Sequence, residues 1–220
     1  MPLPELLDRL VSLVFPQRCL LCDSLVEHDD FLCEKCALVT VGKISLDTPS
    51  RIAGLMAVVE YTDNARGLVL DAKKGDNPRL YTFLAIEIER LIARHWGDAH
   101  FDLIAPIPTT QGRRKARGFN QTELIAAPLG KRCGIPVQAD LLTRAESSKT
   151  QHELSEDARR ENAFASYRLS RPELADSKTV LLIDDLITTG YTMSACAACL
   201  LTGGATAVYA IAIGYRQRLM

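Results

Sequence analysis

Val180-Leu181-Leu182-Ile183-Asp184-Asp185-Leu186-Ile187-Thr188-Thr189-Gly190-Tyr191-Thr192 is the stretch from which the rest of the chain can be placed. Its four leading apolar residues read as a fully buried strand, too short for a helix. The two acids stand at the C-terminal end of that strand, where open α/β sheets bind their ligands. A Thr-rich turn follows and runs into a helix from Met193 to Leu201, stopped by Gly203-Gly204. Hydroxyls and backbone N–H groups at a helix N-terminus suit a phosphate, while carboxylates accept hydrogen bonds from vicinal hydroxyls. A ligand bearing both a sugar diol and a phosphate satisfies both halves. The pattern predicts a ribose 5-phosphate site; a plain buried strand with an acidic helix cap is the weaker alternative.

Outward from this centre, strand patterns alternate with helical ones. Leu55 to Tyr61, Phe101 to Ala105, a weak Ile135 to Gln138 and Ala207 to Tyr215 read as strands. Asn64 to Lys73, Arg79 to His95 and a segment after Gln121 through Leu129 read as helices, the last expected to be kinked or shortened by Pro128. Such alternation predicts an α/β fold with a doubly wound, mostly parallel sheet. Residues 143 to 162 are polar and charged and read as a mobile loop. Between the second strand and its helix lies Gly112-Arg113-Arg114-Lys115-Ala116-Arg117-Gly118, a basic run just beyond a strand end. There Arg forks match phosphate oxygens and Gly118 would let the backbone approach, so the run reads as a pyrophosphate clamp, with charge added from Lys73-Lys74-Gly75.

Cys19-Leu20-Leu21-Cys22 and Cys33-Glu34-Lys35-Cys36 are two knuckles with ten residues between them, the spacing of a zinc ribbon in which Cys19, Cys22, Cys33 and Cys36 close one structural site. Residues 25 to 32 are expected to form a hairpin around the metal. The division falls near Thr48-Pro49-Ser50, giving residues 1–45 as a leading helix with the ribbon and 50–220 as the sheet domain. The chain of 220 residues is 47% hydrophobic and 24% charged with a net charge of -1, which supplies a full core and no global field for nucleic acid. Pro4 to Phe15 reads as an amphipathic helix, not a signal peptide, and no apolar run reaches membrane-spanning length. A cytoplasmic protein with reduced cysteines is expected. Neither Gly-Lys pair, 42–43 or 130–131, is followed by Ser or Thr, which excludes a Walker A loop. Cys196-Ala197-Ala198-Cys199 reads as small apolar helix packing, not as a redox pair.

The central stretch resembles the signature of type I phosphoribosyltransferases, which bind phosphoribosyl pyrophosphate. That resemblance gives Asp184 and Asp185 the ribose hydroxyls, and Thr188, Thr189, Gly190, Tyr191 and Thr192 the 5-phosphate. A narrower likeness covers nearly the whole chain in order. The paired cysteines, Lys74-Gly75-Asp76, Pro106-Ile107-Pro108, Arg117-Gly118-Phe119-Asn120-Gln121, then Arg144 with Gln151, Leu154, Arg159 and Asn162, then the acid-pair motif, resemble the ComF family. Its members join a zinc ribbon to a phosphoribosyltransferase domain and are associated with bacterial competence and DNA uptake. The likeness implies a pyrophosphate loop over residues 106–121 and a lid over 144–162. Asp184, Asp185 and Arg117 would carry any chemistry, and Lys74, Arg113 and Gly118 would help the turn hold the ligand with Mg²⁺. Thr188 stands where purine-salvage relatives often carry a further acid, which speaks against a 6-oxopurine acceptor.

Two functions remain open on this reading. One is a transferase that displaces pyrophosphate from the anomeric carbon with a nitrogen nucleophile. The other is a non-catalytic, ligand-sensing module that handles single-stranded DNA or a protein of the competence machinery. At 6% aromatic, the chain shows no obvious base-stacking groove.

Overall fold

A computed structural model describes residues 16–27, 30–40, 44–45, 51–62, 65–145 and 163–216. The expected leading helix, His28 and the body of the lid at 146–162 lie outside the described residues. Seven strands are labelled here: β1 (Ile44–Ser45), β2 (Gly54–Glu60), β3 (Leu103–Pro106), β4 (Leu142–Arg144), β5 (Tyr167–Leu169), β6 (Thr179–Ile187) and β7 (Ala207–Tyr215). The main sheet has the order β1-β2-β7-β6-β3, with β4 and β5 forming a separate antiparallel pair. β2, β7, β6 and β3 run parallel, and β1 adds an antiparallel edge. This is the doubly wound, mostly parallel sheet expected from the alternation of patterns.

The sheet carries helices on one face and a helix with a hairpin on the other. On the first face lie α2 (Arg66–Asp71), α3 (Pro78–His95) and α5 (Gln121–Cys133). Their Leu68, Leu84, Ile88, Ile125 and Leu129 pack on Leu181, Ile183 and Ile211 of the strands. After the short α6 (Pro172–Ala175), the second face is covered by α7 (Tyr191–Thr202) and the β4–β5 hairpin, whose Cys196, Leu200 and Tyr167 meet Val180, Leu182 and Ala210. Burial on both faces explains why β6 is apolar without alternation up to Ile183.

Four local readings of the sequence change. The basic run is helical, α4 (Gln111–Arg117), capped by Thr110, which accepts from the Arg113 N–H at 3.3 Å. Gly118 closes that helix at φ 84 as a left-handed cap, its N–H donating to Arg114 O at 2.8 Å. Pro128 does not shorten α5, which continues to Cys133 and its cap Gly134. The weak strand at 135–138 reduces to a single parallel bridge, Ile104 to Val137, at the free edge of β3. Within the loop read over 143–162, Arg144 belongs to β4, paired with Tyr167 of β5.

The two cysteine knuckles sit on the helical face. Arg18 and Leu25 form an antiparallel bridge that makes the first knuckle the tip of a hairpin; the middle of the hairpin expected over residues 25 to 32 lies outside the described residues. The second knuckle opens α1 (Glu34–Thr40). Phe31 packs on Phe83 of α3 with ring centroids 5.6 Å apart, and the Arg79 guanidinium stands 5.3 Å over the Phe31 ring. Arg79 also donates to the carbonyls of Arg18 and Asp30. Among the described residues, no helix is long and apolar enough to cross a membrane.

Candidate ligand crevice and metal site

The sheet register opens the crevice. β3 pairs with β6 up to Pro106 opposite Ile183, and the Ile107 N–H adds one last bond to Ile183 O at 2.9 Å. β6 runs on to Ile187 against β7. The acid pair therefore lies inside the strand, three and two residues before the last partner pair, not beyond its end. Its β3 side is unpaired at that point. A cavity of about 150 Å³ fills the gap, and Asp184, Asp185, Arg113, Asn120, Arg144 and Tyr167 are among its walls.

Adjacent strand residues point to opposite faces. Asp184 turns toward α7 and the hairpin, and Asp185 toward α5. The Asp184 carboxylate accepts from the Asp185 N–H at 2.8 Å. Burial, and then the Asp185 charge, push the Asp184 carboxyl well above the usual carboxylate range, with Arg144 acting against them. Asp185 is half-buried and held from two sides: Gln121 Nε2 donates to Oδ2 at 2.9 Å, and Lys73 Nζ stands 3.4 Å from the same oxygen.

The basic helix is fastened to this acid by the first turn of α5. Arg117 Nη1 donates to Gln121 Oε1 at 3.0 Å, and Arg114 grips Glu123 through two bonds of 2.7 and 3.1 Å. Asn120 Nδ2 and Thr122 Oγ1 both donate to Ile107 O. Phe119 lies on Gly75, where an added Cβ would come within 2.2 Å of the ring. Close approach thus ties the Lys74-Gly75-Asp76 turn to the Arg-Gly-Phe-Asn-Gln run. Each residue of that run has a physical duty in fixing α4 against the acid end of β6.

The other expected site residues divide. Thr188 is exposed, and Thr189 Oγ1 accepts from the Tyr191 N–H at 3.5 Å. Gly190, at φ 71, is the N-cap of α7, and Thr192 reaches the crevice wall. Lys74 does not reach it: its ammonium bonds Asp71 at 2.6 Å, and Lys73 is the lysine beside the acid. Arg117 acts on the crevice through Gln121, and Gly118 is a cap. Gln121 and Tyr167 were not singled out as site residues from sequence, because an amide in a helix turn and a lone tyrosine carry no spacing signal.

The four cysteine sulfurs of Cys19, Cys22, Cys33 and Cys36 lie within 4.8 Å of one another. The Leu21 N–H donates to Cys19 Sγ at 3.5 Å, and Ser24 Oγ is 3.1 Å from Cys22 Sγ. The Ser24 contact draws the Cys22 thiol down to about 6, while burial pushes Cys36 up. Four sulfurs this close offer one ion an all-thiolate donor set, the chemistry of structural zinc.

A doubly wound α/β protein with an acid-edged crevice beside a basic helix, joined to a four-cysteine module, is the class these features define. Comparison places it more narrowly. Residues 10–42 match the family model of a double zinc ribbon domain. Over 199 residues the chain is 31% identical to the DNA utilization protein YhgH of Salmonella typhi, covering 86% of each chain. Over 152 residues it is 29% identical to the competence protein ComFC of Bacillus subtilis, covering 69% of this chain and 59% of that one. The adenine phosphoribosyltransferase of Thermoanaerobacter pseudethanolicus superposes with a TM-score of 0.39 and 17% identity over 83% of this chain and 98% of that one. The chain belongs to the ComF family, that of the YhgH and ComF competence proteins.

Proposed function

We propose that the crevice binds phosphoribosyl pyrophosphate together with Mg²⁺, in a protein that works in DNA utilisation. The observation that carries the reading is the unpaired edge of β6, where Asp184 and Asp185 share one cavity with Arg113 while α7 begins just beyond. The acids accept the ribose hydroxyls. Thr188 to Thr192 hold the 5-phosphate at the α7 N-terminus, and Arg113 and Lys73 face the pyrophosphate, with Arg117 aligned behind them. Bound Mg²⁺ would spread the pyrophosphate charge, which suits departure of that group to a nitrogen nucleophile. The protein's own part is to hold the diol, fix the leaving group and shield both from water. Family membership supports the setting in DNA utilisation, since the relatives are named for it. Residues 1–45 then serve as a zinc-held module beside the 50–220 domain.

Calorimetry with phosphoribosyl pyrophosphate, with and without Mg²⁺, tests the binding. Saturable 1:1 binding strengthened by Mg²⁺ is the expected result, and absence of binding overturns the reading. Pyrophosphate release measured across nitrogen acceptors then separates a transferase from a ligand-sensing module.

A further inference from the structure

Three buried polar atoms around Asp184 lack a hydrogen-bond partner among the described residues: the Tyr167 hydroxyl, Arg144 Nε and Asn120 Oδ1. Native proteins leave few such atoms, because each forfeits its hydration without replacement. Tyr167 is 1% exposed and Asn120 2% exposed, and all three residues line the same cavity as Asp184. Asn120 is oriented from behind, since its Nδ2 donates to Ile107 O, which leaves the oxygen free. Arg144 and Tyr167 are directly paired across the β4–β5 hairpin, with the guanidinium 5.3 Å over the tyrosine ring. Thr192 stands near enough to influence the Tyr167 hydroxyl but makes no bond of ordinary geometry with it.

The groups facing this corner differ in kind. Arg144 Nε–H can only donate, and burial keeps the Tyr167 O–H protonated and able to donate. Asp184 accepts. A phosphate would take the two donors but set its charge against the acid. A hydroxyl can accept from one side and donate to the other. We infer that Arg144 and Tyr167 form, with Asp184, a specificity subsite that reads one of the two vicinal hydroxyls of a ribose phosphate and so discriminates against the sugar lacking it. The inference rests on the ribose-phosphate reading of the crevice and adds residues from the hairpin to it. A site built around a hydroxyl rejects the analogue without it, because its own buried groups are then left unpaired.

The test uses the full chain with ribose 5-phosphate, 2-deoxyribose 5-phosphate and 3-deoxyribose 5-phosphate in calorimetry. Wild-type protein should prefer ribose 5-phosphate to both deoxysugars. Tyr167→Phe should weaken ribose 5-phosphate about three- to tenfold. The same substitution should leave affinity unchanged for the one deoxysugar that lacks the hydroxyl being read. Arg144→Lys, which keeps the charge and loses the Nε–H, should repeat that pattern. The ligand-free Tyr167→Phe protein should melt no lower than wild type, because the substitution removes an unpaired buried hydroxyl. Equal losses on all three sugars, no loss on any, or a lowered melting temperature would overturn the subsite. If wild-type protein binds none of the three, the ribose-phosphate reading fails and takes the subsite with it.

Discussion

The side-chain amide of Gln121 donates to Asp185 Oδ2 at 2.9 Å while its oxygen accepts from Arg117 at 3.0 Å, so one buried amide joins the basic helix to the acid end of the central strand. The Arg117 bond fixes which way the amide faces, since only its NH₂ end can then reach Asp185. The two halves of the crevice are therefore not independent. Displacing Arg117 loosens the group that orients the acid.

Gln121→Glu should break this link, because it replaces the donor facing Asp185 with a second carboxylate. Hydrogen bonds to charged groups contribute roughly 1.5–3 kcal/mol. A loss of phosphoribosyl pyrophosphate affinity of about tenfold or more is expected, with helix content by circular dichroism unchanged. Wild-type affinity in this variant would show that Gln121 merely fills space.

Metal removal should act locally. Four thiolates around one zinc give small modules on the order of 10 kcal/mol or more of apparent binding energy. Purified protein should contain one zinc per chain. Cys22→Ser should unfold residues 17 to 40 while the sheet domain keeps its cooperative melt. Metal analysis with four freely titrating thiols and no zinc would contradict this.

The docking of that module on α3 depends on Arg79, whose two carbonyl acceptors and stacked Phe31 ring all belong to the cysteine module. Arg79→Ala should release the module without unfolding it. Limited proteolysis should then cut between residues 40 and 54 at least several-fold faster, with zinc content retained. Equal cleavage rates would mean that the Phe31–Phe83 contact suffices.

What the sequence disclosed follows from where burial leaves a pattern. Val180 to Ile183 is covered on both faces, so its apolar run was legible, and with it the strand, the acids and the helix beyond. The cysteine spacing was legible because ligand chemistry is written in residue type. Helix α4 was not, since all seven of its residues are exposed and no apolar stripe marks its period; Thr110 and Gly118 were its only signals. The β4–β5 hairpin was missed because three-residue strands separated by a polar segment show no alternation. Sequence adjacency likewise could not decide between Lys73 and Lys74. The turn at the end of α2 sends one to Asp185 and the other back to Asp71.

Asp184→Asn should separate ligand binding from stability. Burial raises the Asp184 carboxyl above its ordinary range, so the folded protein holds that proton more tightly than the unfolded chain does. The contribution of such a group to stability is fully present below the unfolded value of about 3.9 and is lost as pH rises through the folded value. At pH 7 the wild-type protein therefore carries a destabilising buried acid, and asparagine removes it while keeping an oxygen for the Asp185 N–H. The variant should gain on the order of 1 kcal/mol at pH 7, raising the melting midpoint by about 2–4 °C. The two midpoints should converge as the pH falls toward 4. Affinity for phosphoribosyl pyrophosphate should drop about tenfold at pH 7, because the one oxygen of the amide is taken by the Asp185 N–H and none is left for the ribose. A variant that melts below wild type at pH 7 would show that Asp184 is held by partners strong enough to offset its burial, and the acid would then be a structural element of β6 before it is a ligand contact.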